Sequence, residues 1–137
     1  MYERIMVPVD LAHAETLEKA LRTVADLARI YDAEVCYVGV TTSSPGPVAP
    51  TPEAFAGKLA AFASAEAERH GLKATSKSIL THDPSIDLNR TLVHAVEETG
   101  ADLVVMASHR PGFPDHFFAA HASHVAMHAE VSVFVVR

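Results

Sequence analysis

Short apolar runs alternate along the chain with stretches in which apolar residues recur every three or four positions. Such runs are typical of buried parallel strands, and such stretches are typical of amphipathic helices. The pattern predicts strands over Arg4–Val9, Glu34–Val40, Lys73–Leu80, Leu103–Met106 and Val131–Val136. Helical spacing runs from Glu15 to Tyr31, from Phe55 to Gly71, from Asp83 to Gly100 and from Phe117 to His128.

The alternation of five strands with four helices indicates the fold class. Mostly short connections between such elements are typical of a parallel sheet wrapped by right-handed crossovers. The exception is Thr41 to Pro52, a loop with four prolines. We therefore expect an α/β protein: one domain over residues 1–137, with an open five-stranded parallel sheet and helices on both faces.

Charge and apolar content limit the classes of partner. The 137 residues hold 11 basic and 17 acidic side chains, a formal net charge of −6, and lack any cluster of Lys and Arg. A general nucleic-acid binder needs a concentrated cationic face, so we expect no nucleic-acid partner. The start, Met1 to Ile5, lacks the pattern of a signal peptide, and no apolar stretch approaches the roughly 20 residues that cross a bilayer. We expect a cytoplasmic protein without membrane insertion.

Polar residues follow three of the predicted strands: Asp10, Thr41 and the triplet Ser108 to Arg110. Ligands of open parallel sheets bind beyond the carboxyl ends of the strands. Asp10 can accept hydrogen bonds from a ligand or cap the following segment, and its position favours neither. The segment from Met106 to Asp115 can cradle an anion, with Arg110 as a planar donor, or be a loop stiffened by proline and glycine. Walker-type and GxGxxG loops are absent from the sequence.

Nine histidines are many for this length, and His121, His124 and His128 follow one another at steps of three and four. That spacing can place two imidazoles on one metal ion. The HExxH glutamate is missing, so the pattern favours a solvated or dimer-facing polar stripe, and we expect no resident metal. His70 and His94 lie beside charged residues on predicted helices, and we expect both to face water.

Three blocks of sequence resemble the universal stress protein family. Ile5-Met-Val-Pro-Val-Asp10 is similar to its first strand, Ala101 to His109 to its fourth strand, and His128 to Val136 to its closing strand. Ala-Ser-His-Arg-Pro-Gly, residues 107–112, resembles a branch associated with solute transporters. The resemblance implies strand order 3-2-1-4-5 and a site for ATP or another adenine nucleotide, with Mg²⁺ only if a triphosphate binds. The implied contacts are Val9, Asp10, Val40, Met106, Ser108, His109, Arg110 and Gly112.

The sequence departs from the family at the phosphate end of that site. The glycines of ATP-binding members are replaced by Ala107, Arg110 and either Ala119 or Ala120. His82 replaces a further glycine after the third strand. Because a Cβ obstructs close approach of the backbone to a phosphate, the resemblance implies a cleft that holds a nucleoside better than its phosphates.

The resemblance also implies a homodimer that pairs through Val131–Val136, since an apolar edge strand is an aggregation hazard unless it is paired.

Three functions follow, in order of preference. The first is a binding module that senses an adenine nucleotide and regulates a partner, such as a transporter. The second is a dimeric interaction protein without nucleotide. The third is a weak ATP hydrolase, for which Asp10 and Asp115 are the carboxylates at hand.

Overall fold

The computed structural model describes residues 1–108 and 122–137, with the backbone alone at residues 84 and 85. Its strands are β1 Arg4–Pro8, β2 Glu34–Thr41, β3 Lys73–Leu80, β4 Leu103–Ala107 and β5 Ser132–Val136. Its helices are α1 Glu18–Tyr31, α2 Pro52–His70, α3 Pro84–Thr99 and α4 Ala122–His128, and a 3₁₀ helix at Leu11–Leu17 precedes α1.

The strands form one sheet in the order β3-β2-β1-β4-β5, and all four pairings are parallel. The predicted fold class and strand order are confirmed. β1 lies at the centre of the sheet and its residues Ile5, Met6 and Val7 are buried. A strand with helices over both faces has no solvent-facing side, which is why β1 reads as a continuous apolar run.

Two separate cores cover the two faces of the sheet. On one face, α1 and α2 bring Leu21, Val24 and Leu59 against Ile5 and Val7. On the other face, Leu88 and Leu92 of α3 and Val125 of α4 pack against Met6 and Val104. From β1 the chain adds β2 and β3 on one side, and it then returns to the other side of β1 to add β4 and β5. Because crossovers between parallel strands are right-handed, this change of direction places α1 and α2 on one face of the sheet and α3 and α4 on the other.

Glycines end two of the helices where the sequence predicts. Gly71 follows α2 with a φ of 66°, and Gly100 follows α3 with a φ of 68°. Glycine reaches this left-handed region without the steric cost that a Cβ imposes. Thr51 is the N-cap of α2, because its hydroxyl accepts a hydrogen bond from the Ala54 N–H at 3.1 Å.

The start of α1 differs from the prediction. Helical spacing begins at Glu15 in the sequence, but regular α-helix begins at Glu18, after the 3₁₀ helix. His13 interrupts the turns with φ and ψ of −131° and 34°, and the Asp10 side chain caps the first of them through the Ala12 N–H. The predicted helix from Phe117 to His128 is described from Ala122 onward, and its first five residues lie outside the described part.

The prediction that His70 faces water is wrong. Its side chain is 14% exposed and its Nε2 lies 3.1 Å from Oε2 of Glu66, which is 6% exposed. Burial raises the pKa of the neighbouring Tyr37 hydroxyl, and the Glu66 carboxylate adds to the rise. His94, by contrast, is 68% exposed and contacts Glu98, as expected.

Candidate functional site

A cavity of about 280 Å³ opens at the carboxyl ends of β1 and β2. We call it the Asp10 cavity. Its lining residues are Val9–His13, Val40–Thr42, Ser44, Gly46–Ala49 and Phe55. Parallel strands end at the same edge of the sheet, so β1 supplies Val9 and Asp10 while β2 supplies Val40 and Thr41.

α2 forms one wall of the Asp10 cavity because a glycine lets it lie close to β2. A Cβ at Gly39 would lie 2.9 Å from the Phe55 ring and 3.0 Å from Leu59. Phe55 is therefore seated directly on the strand and presents an apolar surface to the cavity. The loop between β2 and α2 forms another wall. Gly46 N–H donates to the Ala49 carbonyl at 3.1 Å, and the Lys58 ammonium donates to the Val48 carbonyl.

Asp10 is both a cap and a cavity residue, so the two alternatives that the sequence left open are compatible. Its Oδ1 accepts a hydrogen bond from Ala12 N–H at 3.1 Å, and its Oδ2 lies 2.8 Å from His13 Nδ1. The side chain is 16% exposed and lines the cavity. Two neighbours thus fix the direction of the carboxylate before any ligand arrives.

His13 is a cavity residue that sequence reasoning missed. Its pKa is raised, first by the hydrogen bond to Asp10 and then by the negative charge of that carboxylate, while burial acts weakly in the opposite direction. The available signal in the sequence was that His13 follows Asp10, at the end of a strand, by three residues. It carried little information, because spacing sets side-chain direction inside a regular helix and not at an irregular turn such as this one.

The end of β4 supplies the remaining described residues of the predicted site. Met106 is buried between the sheet and the α3–α4 layer, and it does not line the Asp10 cavity. Ser108 N–H donates to the Val136 carbonyl at 2.7 Å. Its hydroxyl oxygen is buried, and within residues 1–108 and 122–137 it has no hydrogen-bond partner. His109, Arg110 and Gly112, with Ala119, Ala120 and Asp115, lie outside the described residues.

The cavity can receive a partly apolar ligand with hydroxyl groups. Its described walls are mainly apolar, with Thr41, Thr42 and Ser44 among the polar lining residues, and Asp10 offers oriented acceptor oxygens at one side. Among the described lining residues, Lys and Arg are absent and the basic side chain is that of His13. In the part of the chain that the structure describes, no three His, Cys, Asp or Glu side chains are grouped to hold a metal ion. His124 and His128 meet as a pair, and His121 lies outside the described residues.

The family model described as the universal stress protein family matches residues 1–137. The chain belongs to the universal stress protein family. Universal stress protein G of Shigella flexneri is 30% identical over the full length of both chains. Among solved members of the family, a universal stress protein from Archaeoglobus fulgidus is 22% identical with a TM-score of 0.71 and covers 100% of both chains. A structure of the Archaeoglobus fulgidus protein in complex with dAMP is 21% identical with a TM-score of 0.69, covering 99% of this chain and 98% of that one.

These likenesses agree with the strand order and with the resemblance seen in the sequence. None of the helices in the described ranges is long and apolar enough to cross a bilayer.

Proposed function

We propose that the Asp10 cavity binds the nucleoside part of an adenine nucleotide. The observation that carries the proposal is a fixed carboxylate at the end of a buried strand, beside an apolar cavity of about 280 Å³. Small-molecule sites span about 300–1,000 Å³, and a cavity of about 280 Å³, just below the lower end of that range, suits one nucleoside better than a dinucleotide. The dAMP complex of the solved relative supports an adenine nucleotide as the ligand class.

Asp10 is proposed to accept hydrogen bonds from the ribose hydroxyls. Each carboxylate oxygen has two acceptor positions, and the contacts with Ala12 and His13 occupy one on each oxygen. One position therefore remains on each oxygen. Val9 and Val40, which border the same cavity, are proposed to hold the base against an apolar surface.

The phosphate end is proposed to be the weaker half of the site. Ala107 stands where ATP-binding relatives carry glycine, and the described cavity walls lack Lys and Arg. Ser108, His109, Arg110 and Gly112 remain proposed phosphate contacts, to which Met106 can add its backbone. A monophosphate is then expected to bind about as well as a triphosphate, and Mg²⁺ to matter only for the triphosphate.

The test is a titration of the full chain with fluorescent analogues of AMP and ATP, each with and without Mg²⁺. Hydrogen bonds to a charged group contribute about 1.5–3 kcal/mol, so Asp10→Ala is expected to weaken AMP binding about 10- to 100-fold. Asp26→Ala is the matched control, because Asp26 is an exposed carboxylate on α1 that pairs with Arg29. Equal affinity of the Asp10 variant and the unmodified chain would contradict the proposal.

A second proposal, that the chain acts as a dimeric interaction module, is supported by the apolar edge strand β5. Phe134 is 45% exposed and Val135 39% exposed, although both lie in the sheet. We propose that two chains pair through Val131–Val136 and that, in the cytoplasm, the dimer regulates a protein partner such as a solute transporter. Sedimentation is expected to give twice the mass of one chain. This second proposal does not depend on nucleotide binding, so it stands even if the chain binds no nucleotide.

A further inference from the structure

α4 presents two histidines side by side. His124 and His128 are one helical turn apart, and their ring centroids lie 4.1 Å apart with the planes tilted by 57°. The helix buries Ala122 and Val125 against the protein. At 100° per residue, the two histidines lie about 110° around the helix from the middle of that buried side, and His128 is exposed and His124 half-buried.

The surroundings of this pair differ from those of three other described histidines. His13 lies 2.8 Å from a carboxylate oxygen, His70 3.1 Å and His94 2.7 Å. Within residues 1–108 and 122–137, His124 and His128 have neither a hydrogen bond nor an ion pair, and each touches the other ring instead. A carboxylate favours the protonated imidazole, whereas a neutral imidazole keeps a nitrogen lone pair that can bind a metal.

We propose that His124 and His128 form a two-imidazole chelate for a divalent transition-metal ion, with Cu²⁺ the preferred ion. Imidazole suits Cu²⁺, Ni²⁺ and Zn²⁺, and the general order of affinity places Cu²⁺ first. The described residues contain no group of three or more metal ligands. The pair is therefore an open site, in which water or an outside ligand fills the other coordination positions and the ion can exchange.

This site is separate from the Asp10 cavity. α4 packs on the sheet face that carries α3, whereas the cavity is walled by Phe55 of α2, from the opposite face. Metal binding at the pair therefore does not depend on the proposed nucleotide function, and either can fail while the other holds.

Calorimetric titration of the full chain with Cu²⁺, in a buffer with a weak competing chelator, tests the proposal. The expected result is that one Cu²⁺ ion per chain binds more tightly than any other. Replacing either histidine turns a chelate into a single ligand, so His124→Ala and His128→Ala are each expected to weaken that site about 100-fold.

His94→Ala is the matched control, since it removes an exposed imidazole from α3 and is expected to leave the tightest site unchanged. His128→Gln keeps the bulk and polarity of the side chain and is expected to lose copper like His128→Ala. Circular dichroism of each variant checks that the substitution leaves the fold intact. Full copper affinity in either histidine variant, or an equal loss in His94→Ala, would overturn the assignment.

Discussion

The two edges of the sheet are built from opposite kinds of residue. β3 forms one edge and carries Lys73, Thr75, Ser76, Lys77 and Ser78. β5 forms the other edge with the sequence Ser-Val-Phe-Val-Val, and its middle residues are partly exposed. Natural sheets protect a free edge with charged side chains, lysine above all. The difference fits the proposed dimer, in which β5 is paired with a second chain and β3 stays a free edge.

The two edge strands also differ in how their side chains are held. Lys77 of β3 is held by Glu98 of α3 at 3.2 Å, so the edge charge is anchored to the neighbouring helix. On β5, Ser132 accepts a hydrogen bond from the Tyr2 hydroxyl at 2.9 Å, and Val136 is buried with the α1–α2 core. The β5 strand is thus fixed in place at both ends while its apolar middle remains open.

The largest effect is expected from a charge placed on the β5 edge. In a twofold dimer each substitution occurs twice, so Phe134→Asp sets two carboxylates near each other in the pairing strands. Like charges brought together at an interface cost several kcal/mol, and dimer dissociation is expected to become about 100-fold easier or more. Sedimentation velocity measures the change, and circular dichroism is expected to show an intact fold because Phe134 is already 45% exposed.

Ser78→Asp is the control for that substitution. Ser78 is exposed on β3, so the same charge is added to the opposite edge of the sheet. The mass of the Ser78→Asp variant in solution is expected to match that of the unmodified protein. If Ser78→Asp dissociated the protein and Phe134→Asp did not, the roles assigned to the two edges would be reversed.

A smaller effect is expected from removing the protection of β3. Lys73→Val with Lys77→Val gives this strand the apolar and β-branched character of β5, and β-propensity alone accounts for about 1 kcal/mol. Association beyond the dimer is expected at roughly tenfold lower concentration than in the unmodified chain, a shift that light scattering detects.

Arg29→Gln with Arg90→Gln is the control for this pair, since it removes two positive charges from exposed helix positions. It is expected to leave the assembly unchanged. Equal association in both double variants would show that net charge, and not the lysines on the edge, keeps β3 unpaired.

The sequence was sufficient for elements that are decided by burial alone. β1, β2 and β4 are nearly continuous apolar runs because both faces of the sheet are covered, and their positions were predicted to within a residue or two. Three of the predicted contact residues, Val9, Asp10 and Val40, also line one cavity. These features follow from local pattern and from the rule that parallel strands end at one edge.

Features decided by the direction of individual polar side chains were missed. His70 extends the buried stripe of Phe55, Leu59, Ala63 and Glu66 at steps of three and four, but its polarity suggested exposure. Position on the helix outweighed residue type there. The contact between His13 and Asp10 had no periodic signal, because the backbone between them is not regular helix. The contact between His124 and His128 was foreseeable as spacing, but not their lack of a carboxylate partner among the described residues.

The smallest effect concerns the anchor of the β3 edge under acid conditions. The pKa of Glu98 is lowered, first by the hydrogen bond with His94 at 2.7 Å and then by Lys77. A carboxyl group with a lowered pKa adds stability that is present above its ordinary pKa of 4.5 and is lost as pH falls through the folded-state value. Glu98→Gln is therefore expected to lower Tm slightly near pH 5–6, with the difference disappearing at lower pH.

Glu97→Gln, at the exposed neighbouring position on α3, is the control and is expected to show no such convergence with the unmodified chain. Protonation of Glu98 frees Lys77, so the β3 edge remains charged in acid and stays protected against pairing. β5 from Ser132 to Val136 carries no titratable side chain, so dimer dissociation measured by sedimentation is expected to change little in the same pH window. If dissociation accompanied the loss of the Glu98 contact, β3 would also contribute to the interface that is proposed for β5.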